Sequence, residues 1–123
     1  MRKIKFRCWG AKYNESPKWQ LGNIGNVEAG YVKGVSIPPG WILEQFTGLH
    51  DSKGREIYEG DILKSSRKYR YMYDAGYTGD IHFREHYADY EYGDIGGQIT
   101  QLKADFCEVI GNIHENPELL DNA

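Results

Sequence analysis

The chain predicts a mainly β protein: a small barrel or curled sheet of seven or eight short strands, with almost no helix. Three observations carry that expectation. The stretch 46–64, FTGLHDSKGREIYEGDILK, sets three apolar runs around two compact turn signals. Fifteen glycines among 123 residues favour turns and short strands over long helices. Residues 3–9, KIKFRCW, alternate polar and apolar with a period of two.

The elements follow in order. In the first strand Ile4, Phe6 and Cys8 are expected to face the interior, and Lys3, Lys5 and Arg7 the solvent. Residues 11–36 are punctuated by Asn14, Pro17, Gly22, Gly25, Asn26, Gly30 and Gly34. They read as a loop with weak strands near Trp19–Leu21 and Val27–Val35. Ile37-Pro38-Pro39-Gly40 is a break, because paired prolines remove two donors and push the preceding residues to extended geometry. A strand resumes at Trp41–Phe46. Within the central stretch Asp51-Ser52-Lys53-Gly54 reads as a type I turn closed by a glycine at positive φ. Glu59-Gly60-Asp61 reads as a second reversal, giving a tight β-meander.

Beyond it, residues 65–70 are polar and basic, and Tyr77–Phe83 is a strand with Ile81 and Phe83 in phase. Residues 87–92 read as an acidic loop, Ile99–Leu102 as a short strand and Phe106–Ile113 as the last clear strand. Asn116 is expected to cap a single helical turn that Pro117 opens. The expected core is Phe6, Leu49, Ile57, Ile62, Ile81, Phe83, Val109 and Ile113.

The hydrophobic share is 40%, low for a globular domain, and ten Tyr and three Trp offset it, since each buried aromatic removes roughly 150–250 Å² from water. Cys8 and Cys107 belong to no CxxC or Cys/His cluster and read as two reduced, buried thiols, with a disulfide as the alternative. No apolar run approaches the roughly 18 residues of a membrane helix, and charges interrupt the basic N-terminus too early for a signal peptide, so a cytosolic protein is expected. Net charge is −3 but unevenly spread: residues 1–70 hold 13 basic and 7 acidic side chains, residues 71–123 hold 2 and 11. Either the halves interleave and neutralise each other, or the molecule carries opposite patches that join subunits.

No motif for catalysis stands out. GxxxxGK[ST], GxGxxG, GxSxG and HExxH are all missing, and an enzyme is not expected. His82 and His86 lie about 13 Å apart on an extended strand, too far to share an ion, so no metal or other cofactor is expected. Glu59 and Asp61 are explained by the turn they flank rather than as an acid–base pair. The most suggestive stretch is 65–73, SSRKYRYMY, where Arg67, Lys68 and Arg70 interleave with Tyr69, Tyr71 and Tyr73. Cations and rings in this order suit a nucleic-acid strand. The same pattern describes an ordinary half-buried strand, or a protein interface rich in Tyr and Arg.

Four blocks carry a resemblance: IKFRCW near the start, QFTGLHDSKGREIYEGDILK in the centre, GDIHF at 79–83 and EVIGNIHENPELL at the end. In this order they resemble the YopX protein family, small proteins encoded by bacteriophages and prophages, with variable segments at 11–40 and 84–103. The resemblance implies an N-terminal β arm over 1–45, an SH3-like barrel over 46–116 and a tail over 117–123. It implies no activity. The expected function is a non-enzymatic module in the host cytoplasm that binds a protein partner or itself as a homo-oligomer. The alternative is nucleic-acid binding through Arg2, Lys3, Lys5 and Arg7 with Arg67, Lys68, Tyr69, Arg70, Tyr71 and Tyr73.

Overall fold

The computed structural model describes residues 5–11, 14–20, 27–28, 31–32 and 40–121. Arg2, Lys3, Ile4 and the Pro38-Pro39 break lie outside the described residues. The described chain is mainly β, with two four-stranded antiparallel sheets, a two-stranded ribbon and two short helices.

The first sheet has the order β2-β1-β5-β6, formed by β1 (Phe6–Gly10), β2 (Lys18–Gln20), β5 (Ile42–His50) and β6 (Glu56–Tyr58). The ribbon pairs β3 (Val27–Glu28) with β4 (Tyr31–Val32), inside the stretch expected to hold weak strands. The second sheet has the order β10-β7-β8-β9, from β7 (Asp61–Ser65), β8 (Thr78–Arg84), β9 (Asp89–Tyr92) and β10 (Cys107–Asn112). Helix α1 (Gln101–Ala104) lies between β9 and β10, and α2 (Glu118–Asp121) follows Pro117.

The central stretch is less simple than a meander. β5 and β6 form the expected hairpin, with Gly54 at φ +81°. Glu59-Gly60 then carries the chain out of the first sheet, so β7 pairs with β10 and β8 instead of β6. Gly60, at φ +88°, is thus a corner between sheets and not a hairpin turn. Asp51 organises the first turn. Its Oδ1 accepts from the amides of Lys53 and Arg55, and its Oδ2 accepts from Val109 N at 2.9 Å, tying the hairpin tip to β10.

The main apolar cluster joins Ile57, Leu63, Tyr73, Ile81, Tyr92, Ile99, Ala104, Cys107 and Val109. Ile62 and Leu63 point to opposite faces of β7 and are both 0% exposed, so that strand is covered on both sides. Of the expected core, Phe6 and Leu49 are only half-buried, and two residues are exposed. Phe83 is 45% exposed because it lies near the end of β8, past the packed centre, against the edge of Tyr90. Ile113 is 36% exposed because it follows the last residue of β10 in a turn.

Other expectations are corrected. Residues 89–92 form β9 rather than a loop, since Arg84 and His82 on β8 pair across the hairpin with Asp89 and Glu91. Residues 101–104 form a helix rather than a strand. Thr100 caps it by accepting from Lys103 N. Asn116 does not cap α2: its Oδ1 accepts from Asn112 N, at the end of β10.

Candidate functional site

Lys5 and Arg7 do not face solvent freely. Arg7 is clamped where the two sheets meet. Its Nε donates to Glu44 Oε1 at 3.0 Å, its Nη1 to Asp61 Oδ1 at 2.8 Å and its Nη2 to the Glu59 carbonyl at 3.1 Å. The guanidinium lies 4.2 Å from the Trp19 ring centroid and 5.0 Å from that of Tyr58. Lys5 reaches Glu56 at 2.9 Å. The carboxylates of Glu44 and Asp61 are almost wholly buried, and Arg7 is the cation set beside both. The expectation that Lys5 and Arg7 point outward therefore fails: both are engaged by carboxylates.

The same junction contains the Glu59/Asp61 pair. Burial raises the Asp61 pKa, and Arg7 and the Tyr58 amide pull it back; burial likewise raises that of Glu59. Both Asp61 oxygens are occupied, Oδ1 by Arg7 and Oδ2 by Tyr58 N. His114 Nε2 lies 3.1 Å from Glu44 Oε2, and its ring stacks on Trp9 with centroids 5.2 Å apart. This cluster is a clasp between the sheets. Sequence reading missed Glu44 and His114, although Glu44 shares a strand face with buried Phe46, and an acid in that register signals a buried partner.

The basic and aromatic stretch takes a different shape from the one expected. Residues 67–73 are not a strand but a tight loop, closed where Tyr69 N donates to the Tyr73 carbonyl at 3.0 Å. Arg70 takes a positive φ of 52° near the apex. The tyrosines divide by role. Tyr73 is 5% exposed and stacks between Tyr69 and Tyr77, with centroids 5.6 and 5.1 Å apart. Burial pushes its hydroxyl pKa up. Tyr71 is 101% exposed, at the tip. Arg67, Lys68 and Arg70 are exposed, and none forms an ion pair with a carboxylate among the described residues. Arg67 lies 3.6 Å from the Phe106 ring centroid.

Beside this loop runs a groove of about 460 Å³ lined by Lys68, Tyr71, Met72 and Tyr77, with Ile95 on its far wall. Ile95 went unnoticed in the sequence, where a lone apolar residue among glycines carries no period. Its turn is pinned: the Tyr77 hydroxyl accepts from the amides of Asp94 and Ile95 at 3.0 and 3.3 Å.

His82 does not meet His86. Its Nδ1 lies 3.1 Å from Asp80 Oδ2 and its Nε2 2.7 Å from Glu91 Oε1. Burial opposes its charge, but these two carboxylates outweigh burial and raise its pKa. Among the described residues no group of three or more His, Cys, Asp or Glu is arranged to hold a metal ion. Cys8 and Cys107 are both free and buried, and burial pushes the Cys107 thiol up to about 11. No helix among the described residues is long and apolar enough to cross a membrane.

Comparison with curated proteins returns no match. Among solved structures, the crystal structure of protein EF1440 from Enterococcus faecalis is similar, with a TM-score of 0.59 and 24% identity over 98% of this chain and 99% of that one. At that identity the likeness speaks for the fold alone. The family model described as YopX protein matches residues 6–121, nearly the whole chain, including the clasp, the loop at 66–77 and both helices. The chain belongs to the YopX protein family.

Proposed function

We propose that this chain is a non-enzymatic binding module that recognises a protein surface with the loop at 66–77. One observation carries the reading: a fully exposed Tyr71 stands at the tip of a loop whose base is locked by the stacked Tyr69, Tyr73 and Tyr77. Such a ring presents contact area without a large ordering cost on binding, and Tyr and Arg dominate interface hot spots. The buried carboxylates are occupied by Arg7, which leaves them no free proton-transfer role and supports recognition over catalysis. The double variant Tyr71→Ala/Arg70→Ala tests this in affinity capture from nuclease-treated bacterial lysate. It should retain the wild-type circular dichroism and lose the captured protein; unchanged capture would end the proposal.

A second reading, nucleic-acid binding, is favoured by the exposed Arg67, Lys68, Arg70 and Tyr71 carried on one loop. With three cations the affinity for a single strand should fall with salt at a log–log slope of about −2. A gel shift at low salt decides it, and no retardation at micromolar protein counts against it. The SH3-like form of residues 46–116, a phage or prophage origin and a place in the host cytoplasm extend the proposal from the family resemblance. The main apolar cluster, drawn wholly from residues 57–109, supports the first of these.

A further inference from the structure

The groove beside the loop does not end at Ile95. A second groove, of about 290 Å³, continues past it, lined by Tyr77, Asp80, Asp94, Ile95 and Leu120. Tyr77 and Ile95 line both. On one side of this shared centre the groove is lined by Lys68 and Asp74 of the loop at 66–77, which also carries the exposed Arg67 and Arg70. On the other stand exposed Asp94 and the helix that supplies Leu120, which carries exposed Glu118 and Asp121. Ile95 itself is 55% exposed, on a turn held rigid by the Tyr77 hydroxyl.

A surface with a positive half, a negative half and an apolar centre is complementary to itself after a half-turn about that centre. We infer that the partner is a second copy of this chain, docked about a two-fold axis through Ile95, so that the basic loop of each protomer faces the acidic end of the other. This rests on the binding reading above and names its partner. The ion pairs favour it. Among the described residues every Lys or Arg pair with a carboxylate stays within its own half of the chain: Lys5–Glu56, Arg7–Glu44, Arg7–Asp61 and Lys18–Glu15 in the first, Arg84–Asp89 and Arg84–Glu91 in the second. The folded monomer therefore does not cancel its basic loop against its acidic end.

Sedimentation velocity over a concentration series tests the inference. The wild type should form one species of two chains, loosened by added salt, that grows no further. Ile95→Lys sets two ammonium groups against each other at the axis and should weaken the dimer about 100-fold or more. Because Ile95 is exposed, the variant should keep its near-ultraviolet spectrum. Lys68→Glu and Asp94→Lys should each weaken the dimer when alone and restore it when mixed in equal amounts. A monomeric wild type, open-ended growth or a dimer indifferent to Ile95→Lys would overturn the inference. A monomer whose protein capture still depends on Tyr71 and Arg70 would remove the dimer and leave the binding module standing.

Discussion

Two glycines of similar conformation separate backbone strain from packing at the residue scale. Gly54 has φ +81° and open space where a Cβ would go. Gly60 has φ +88°, and an added Cβ would overlap the Glu44 carboxylate that holds Arg7 and faces His114. Gly54→Ala should cost about 1 kcal/mol, from the left-handed backbone alone. Gly60→Ala should cost about 3 kcal/mol or more, because it also breaks the clasp; chemical denaturation of both variants measures the difference. Arg7→Met should cost about 3–5 kcal/mol by leaving buried acids unpaired. The sign of its pH dependence follows from Asp61. Burial already raises its folded-state pKa, and without Arg7 it rises further. Its protonation then stabilises the fold at low pH, and that stabilisation disappears as pH rises through the folded pKa. The deficit should thus be larger at pH 7 than at pH 5 in urea melts.

At the scale of elements, the β8–β9 hairpin is governed by charges paired across strands. Its register sets Arg84 opposite Asp89 and His82 opposite Glu91. Asp and Glu are poor strand formers unless a cation faces them, so residues 87–92 read as a loop until the partner strand is known. His82 has a raised pKa in the fold. Its contribution should be fully present below the unfolded value of about 6.5 and fade as pH rises through the folded value. His82→Asn should therefore lose stability relative to wild type below about pH 6.5 and approach it in mild alkali. Following the His82 ring protons by NMR should give a midpoint above 6.5. The hairpin at 42–58 was legible because its turn carries local chemistry, Asp51 and Gly54. Helix α1 was not: it spans four residues, too few to show a period, and only Thr100 marks its start.

For the whole molecule, the chain leaves one sheet at Gly60 and enters the other, and the clasp and the Asp51–Val109 bond rejoin them. Trp9 and Trp19 lie in the first sheet and Trp41 directly precedes β5, whereas the tyrosine stack belongs to the second sheet's core. Tryptophan fluorescence and the tyrosine near-ultraviolet signal should lose structure at one denaturant concentration; separate midpoints would mean the sheets unfold independently. Ile62→Asp should abolish the folded state, since it places a charge on a strand covered on both faces.

The residues alone determined the mainly β class, the positions of the first, fifth, seventh, eighth and tenth strands and much of the core, because period-two alternation and turn residues act between near neighbours. The tertiary structure decided what each charge does. Arg7 and Arg67 look alike in a sequence, yet one is clamped between acids 37 and 54 positions away and the other stands at the surface. It also divided the tyrosines, stacking Tyr73 inside and leaving Tyr71 outside. A charge or ring takes its role from which groups surround it and how much water remains, and both are set by parts of the chain far apart in sequence.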